Sequence, residues 1–120
     1  MLENKYLIRV YNEISGDSAI NPEKGNSIFK KIDNALSKGL YVTLDFQNVN
    51  FIITAFLNTA IGQLYSKYTS AQLNTIFSII NVNEEDMARF NSVIANAKVF
   101  FEDRKYIEVK SIIKEELGDE

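Results

Sequence analysis

Residues 40–65 read LYVTLDFQNVNFIITAFLNTAIGQLY, and the fold class turns on the two halves of that stretch. LYVTLDF is apolar at nearly every position and rich in β-branched and aromatic side chains, the pattern of a strand covered on both faces. From Thr54 the period changes: Phe56, Ala60, Ile61, Leu64, Tyr65 and Tyr68 recur at helical spacing. The Thr54 hydroxyl stands where it can cap the first helical turn.

Upstream, KYLIRVY (residues 5–11) sets Tyr6, Ile8 and Val10 on one side and Leu7, Arg9 and Tyr11 on the other, as a half-buried strand does. Its polar sequel, NEISGDS, reads as a turn. Asn21-Pro22 opens a helix whose stripe is Ile28, Phe29, Ile32, Ala35 and Leu36, and Gly39 stands where a left-handed cap is wanted, so the helix ends near Lys38. Downstream, a Ser-Ala turn precedes LNTIFSII (residues 73–80), a second apolar strand. Asn83-Glu84-Glu85-Asp86 places acidic side chains at the positive end of a helix dipole, and Met87, Phe90, Val93, Ile94 and Ala97 form that helix's apolar stripe. Residues 104–117 allow either a short strand or a helix, with the helix favoured. The acidic segment 114–120 is expected to fray.

Strand and helix alternate through residues 1–120 without a repeat or a Pro/Gly/Ser linker, which predicts one α/β domain. Its sheet is small, four to five strands, mixed with parallel central strands and packed with three to four helices. A chain of this length buries roughly two-thirds of its extended surface, enough for a core without disulfide or metal staples.

The absences narrow the chemistry. With no His and no Cys, disulfides, Ser-His-Asp triads and the usual zinc or iron sites are excluded. No spaced Asp/Asn calcium loop occurs either, so neither a metal nor any other cofactor is expected. The N-terminal apolar run is too short for a signal peptide, and no 18 apolar residues run together; the expectation is a cytoplasmic protein that does not enter a membrane. Thirteen basic and sixteen acidic residues leave a net charge of −3, which repels a phosphate backbone. Lys30-Lys31 and Asp103-Arg104-Lys105 are short clusters on solvated faces and make no nucleic-acid stripe.

The junction VTLDFQNVNFIITAFLNTAIGQLY resembles the LD(F/L)-x-x-V-x-F signature of STAS domains, the module of sulfate transporters and anti-sigma factor antagonists. It is more similar still to the bacterial STAS-like family of unknown function, in which an LDF strand is followed by a short loop and an SF(L)N-type helix start. Residues 42–62 carry the specific part, and GNSIFKKIDNAL and FSIINVNEEDM match the layout more loosely. The resemblance implies a non-catalytic, regulatory module that switches protein partners, with a GHKL-type ATPase kinase as one partner class. It also implies a phosphorylated Ser at the helix start. That position is Ala55 here, which cannot accept phosphate, so the phosphoacceptor candidate becomes the neighbouring hydroxyl of Thr54.

The docking surface expected on this basis is the loop from Gln47 to Ile53 with the first helical turns, namely Asn50, Ile52, Ile53, Thr54, Phe56 and Asn58. Each has a plainer reading. Thr54 is a common helix cap, Asp45 at a strand end commonly accepts backbone N–H bonds within the turn, and Ile52 and Ile53 either anchor the loop on the core or form a binding patch. A second class of function is a small-ligand or nucleotide site, with amides near Thr54 holding a phosphate and Asp45 orienting it, although no Gly-rich cradle or P-loop lysine is present. A stand-alone inhibitor from a mobile element is a further reading. An enzyme is not expected, because Glu84 and Glu85 are helix-start neighbours that suit the dipole better than acid/base work.

Overall fold

The computed structural model describes residues 4–116, with side-chain surroundings for residues 4–102. Strand β1 (Lys5–Arg9) leads directly into a short helix α1 (Val10–Ile14), then β2 (Ser18–Ala19) and the long helix α2 (Pro22–Ser37). Strand β3 (Tyr41–Asp45), β4 (Phe51–Ile52) and helix α3 (Thr54–Ala60) follow, and a 3-10 turn over Gly62–Ser66 leads to α4 (Ser70–Ile76). Strand β5 (Phe77–Ile80), a second 3-10 turn (Glu84–Asp86) and α5 (Met87–Glu116) complete the order.

The α/β class expected from the alternating pattern is what forms. β1, β3 and β5 make one sheet in that order, and β2 with β4 makes a two-stranded ribbon. Every pairing among these strands is parallel. Since β3 and then β5 add on the same side of β1, crossovers of one hand stack their helices on a single face of the sheet. That face carries Ile8, Val42 and Leu44, all buried against a core that includes Ile28, Ile32, Phe56, Leu57 and Leu64. On the other face Leu7 is exposed and Thr43 and Ser78, side by side in register, are half-buried, while Asp45 at the strand end is buried. The expectation that LYVTLDF is covered on both faces is therefore corrected in part: on the second face Tyr41 is exposed and Thr43 only half-buried.

Several boundaries differ from the sequence reading, each for a local reason. β1 stops at Arg9, and NEISGDS is not simply a turn: Val10 and Ile14, four residues apart, both bury into the core and wind the chain into α1. Ser15, at φ 59°, then ends that helix. α2 forms as expected. The Asn21 side chain accepts from the Glu23 N–H at 2.8 Å, Pro22 opens the first turn, and Gly39 takes φ +83° to turn the chain out.

Only the second half of LNTIFSII is extended. Its first half belongs to α4, which Thr69 and Gln72 start with a reciprocal capping box. The helical stripe expected to run from Phe56 to Tyr68 breaks after Ala60 and tightens into the 3-10 turn at Gly62, a residue of low helix propensity. Phe90, Val93 and Ala97 of α5 are buried as expected, with the Phe46 and Phe90 rings edge to face at 4.9 Å. Met87 is not: as the first residue of the helix it lies exposed at the edge. The helical backbone continues through residue 116, which settles the strand-or-helix choice in the described part of 104–117; residues 117–120 of the acidic segment lie outside the described residues.

Candidate functional site

At the carboxyl end of the sheet, β3 gives way to a tight turn. The Val49 N–H donates to the Phe46 carbonyl at 3.0 Å, and Asn48 adopts φ +69°, a left-handed conformation that Asn tolerates better than most residues. Asp45 anchors the turn. Its Oδ1 accepts from the Gln47 N–H and from the Asn81 side-chain amide, both at 2.9 Å. The carboxylate is buried and tied into both neighbouring segments, so the strand end is held from two directions.

Beyond the turn the chain is strapped to the segment before α2. The N–H groups of Asn50 and Phe51 both donate to the Asp17 carbonyl, at 2.9 and 3.1 Å, and the Ile53 N–H donates to the Ala19 carbonyl at 3.1 Å. Asn50 adds a side-chain bond to the Asp17 carboxylate at 3.2 Å. These bonds align Ser18 with Phe51 and Ala19 with Ile52. Strand alternation then decides which side chains face out. Ala19 and Ile52 turn into the core, whereas Phe51 is 61% exposed, Ile53 40% and Ile20, which continues the register opposite Ile53, 54%. Three large apolar side chains thus share the outer side of a hydrogen-bonded ribbon at the entry to α3.

The expected docking residues divide on this geometry. Asn50, Ile53, Thr54 and Asn58 are exposed. Ile52 and Phe56 are buried, so these two are corrected from docking residues to core anchors: Ile52 faces inward by alternation, and Phe56 lies on the face of α3 that packs against α2. Ile20 lies outside the expected surface, and Phe51 lies in its Gln47–Ile53 loop without being singled out. Their signal was the β2 to β4 pairing, which joins residues far apart in sequence and has no local periodicity.

Thr54 does not cap α3. The N-cap is Ile53, extended at φ −107° and ψ 157°, and Thr54 is the first helical residue, with its side chain exposed. The amides of Phe56 and Leu57 already donate to the Ile53 carbonyl, and Asp45 faces Arg9, Gln47 and Asn81. The structure therefore does not bring together the phosphate site once expected from Thr54 and Asp45.

Among the described residues no three acidic side chains are grouped so as to hold a metal ion, and no helix is long and apolar enough to cross a membrane. Comparison with protein families matches residues 24–87, just over half of the chain, to the STAS-like domain of unknown function. The chain belongs to that family. No curated protein and no solved structure matches it.

Proposed function

We propose that this domain is a non-catalytic, regulatory docking module that meets a protein partner through the outer side of the β2–β4 ribbon and the start of α3. Ile20, Phe51 and Ile53 supply the apolar contact, and Asn50, Thr54 and Asn58 form the polar rim. One observation supports the reading above others: residues adjacent in β4 are split between core and solvent by backbone bonds that hold Phe51 outward. A backbone held before binding loses less conformational freedom when a partner covers it, and aromatic anchors carry much of the energy of protein interfaces.

By family resemblance the partner class is an ATP-binding kinase of the GHKL type, and Thr54 is the phosphoacceptor candidate. Its exposed hydroxyl sits beside Ile53, so a phosphate there would bring about two negative charges to the edge of an apolar contact and weaken it. The test is quantitative capture from native-host extract with the unaltered domain, Phe51→Asp and Ile53→Asp. The expected result is a captured protein lost with both variants while their circular dichroism and thermal unfolding stay unchanged. Retention of the same proteins at the same yield would refute the docking surface.

A further inference from the structure

A second feature of the carboxyl edge has no part in docking. Between the ends of β1 and β3 lies a cleft of about 310 Å³ lined by Arg9, Tyr11, Asn12, Asp45, Gln47 and Asn48. It is at the small end of the range for ligand clefts, about 300–1,000 Å³, and sits where parallel sheets commonly bind their ligands. From its floor and wall we infer that it binds a small zwitterion of the α-amino acid kind, with the ligand's ammonium group on Asp45 and its carboxylate on Arg9.

The carboxylate comes first. The Asp45 side chain is only 6% exposed, and its Oδ1 is occupied by the Gln47 N–H and the Asn81 amide. Among the described residues the ionic contact of its Oδ2 is Arg9, with Nε at 4.0 Å, too far for a hydrogen bond. A carboxylate oxygen so nearly removed from water gains from a charged donor brought to it. Arg9 is the converse. Its side chain is 60% exposed, and among the described residues its one ionic contact is that long one, so most of its guanidinium donors remain free for an acceptor.

The pairing of opposite charges selects the ligand. A free phosphate drawn to Arg9 is repelled by Asp45 a few ångströms away, and a bare divalent cation drawn to Asp45 is repelled by Arg9. A molecule that carries both charges on neighbouring atoms satisfies both side chains and stays neutral overall. The remaining lining, Tyr11, Asn12, Gln47 and Asn48, is rich in hydroxyl and carboxamide groups and favours a polar side chain on that ligand. The cleft is separate from the exposed apolar side of β4, so this site and the docking surface stand or fall independently.

Isothermal titration calorimetry of the intact protein against the standard L-α-amino acids tests it, with inorganic phosphate and Mg²⁺ as controls. The expected result is saturable binding of one or more amino acids with polar side chains. Masking either end of the bound amino acid, by N-acetylation or by esterification, weakens binding by about tenfold or more. Arg9→Met and Asp45→Asn do the same, and because Arg9 is largely exposed, its variant keeps the unfolding curve of the parent. The inference is overturned if no amino acid binds, if binding ignores Arg9→Met, or if phosphate or Mg²⁺ binds more tightly than every amino acid.

Discussion

Phe51 and Ile52 are neighbours in a two-residue strand, yet one is 61% exposed and the other 6%. The parallel pairing with Ser18 and Ala19 fixes this division. Ile52→Ala therefore leaves a cavity in the core and is expected to cost about 2–5 kcal/mol, while Phe51→Ala changes stability by about 0.5 kcal/mol or less. Urea unfolding of the two variants side by side checks it, and equal losses would show that the ribbon does not hold these residues on opposite sides.

Gly25 of α2 lies against α3 so closely that a Cβ there would overlap the Thr59 hydroxyl and stand 2.7 Å from the Phe56 carbonyl oxygen. The same Thr59 hydroxyl is 2.9 Å from the Pro22 carbonyl, which ties the two helices at their crossing. Gly25→Ala is expected to destabilise by about 1–3 kcal/mol, despite the better helix propensity of Ala. Adding Thr59→Ala removes the flexible half of the clash and leaves the backbone half, so thermal unfolding of the double variant should show only partial recovery.

Asn81 follows β5 in a left-handed conformation, φ +60°, and donates to buried Asp45. Removing the donor is expected to cost about 1–3 kcal/mol. Asn81→Gly loses only the hydrogen bond, whereas Asn81→Ala also strains the backbone and should be less stable than the Gly variant by about 1 kcal/mol. Chemical denaturation of both separates the two contributions.

The surface cluster of Asp33, Lys67 and Tyr68 sets a pH dependence. The Lys67 ammonium at 2.6 Å, aided by the Tyr68 hydroxyl at 2.7 Å, holds the Asp33 carboxyl below its ordinary value. Its stabilisation is present above the unfolded carboxylate pKa, about 3.9, and is lost as pH falls through the lower folded value. Partial burial, with the bond to Asp33, pushes the Tyr68 phenol up to about 12. That contribution is intact below the unfolded value, about 10, and disappears as pH rises towards 12. Tyr68→Phe should flatten the alkaline limb of the stability curve, and Asp33→Asn the acid limb.

How much of this was readable beforehand follows from where the signals lie. α2 announced itself locally, through Asn21-Pro22 at one end and Gly39 at the other, and β3 through its nearly continuous apolar and β-branched run. The family's junction motif spans the turn after β3 and the start of α3. The orientation of Phe51, Ile52 and Ile53 was not readable, because three apolar residues in a row have no period and the partner strand lies before α2. Thr54 misled for a related reason: the extended approach through Ile53 shifts the helix boundary by one residue. α4 was missed although Thr69 and Gln72 spell a capping box, because the apolar run beginning at Leu73 suggested a strand. The charge pair in the cleft could not be read from sequence, since the register of β1 against β3 is what sets Arg9 beside Asp45.

The central claim is that the outer side of β4 is where another protein sits. A photo-reactive benzoylphenylalanine in place of Phe51, illuminated in living cells of the native host, tests it directly, with the same group in place of exposed Val99 on α5 as the comparison. The account predicts a discrete cross-linked adduct at position 51 that Ile53→Asp abolishes, and none at position 99. Adducts at 99 alone, or none at 51, would contradict it.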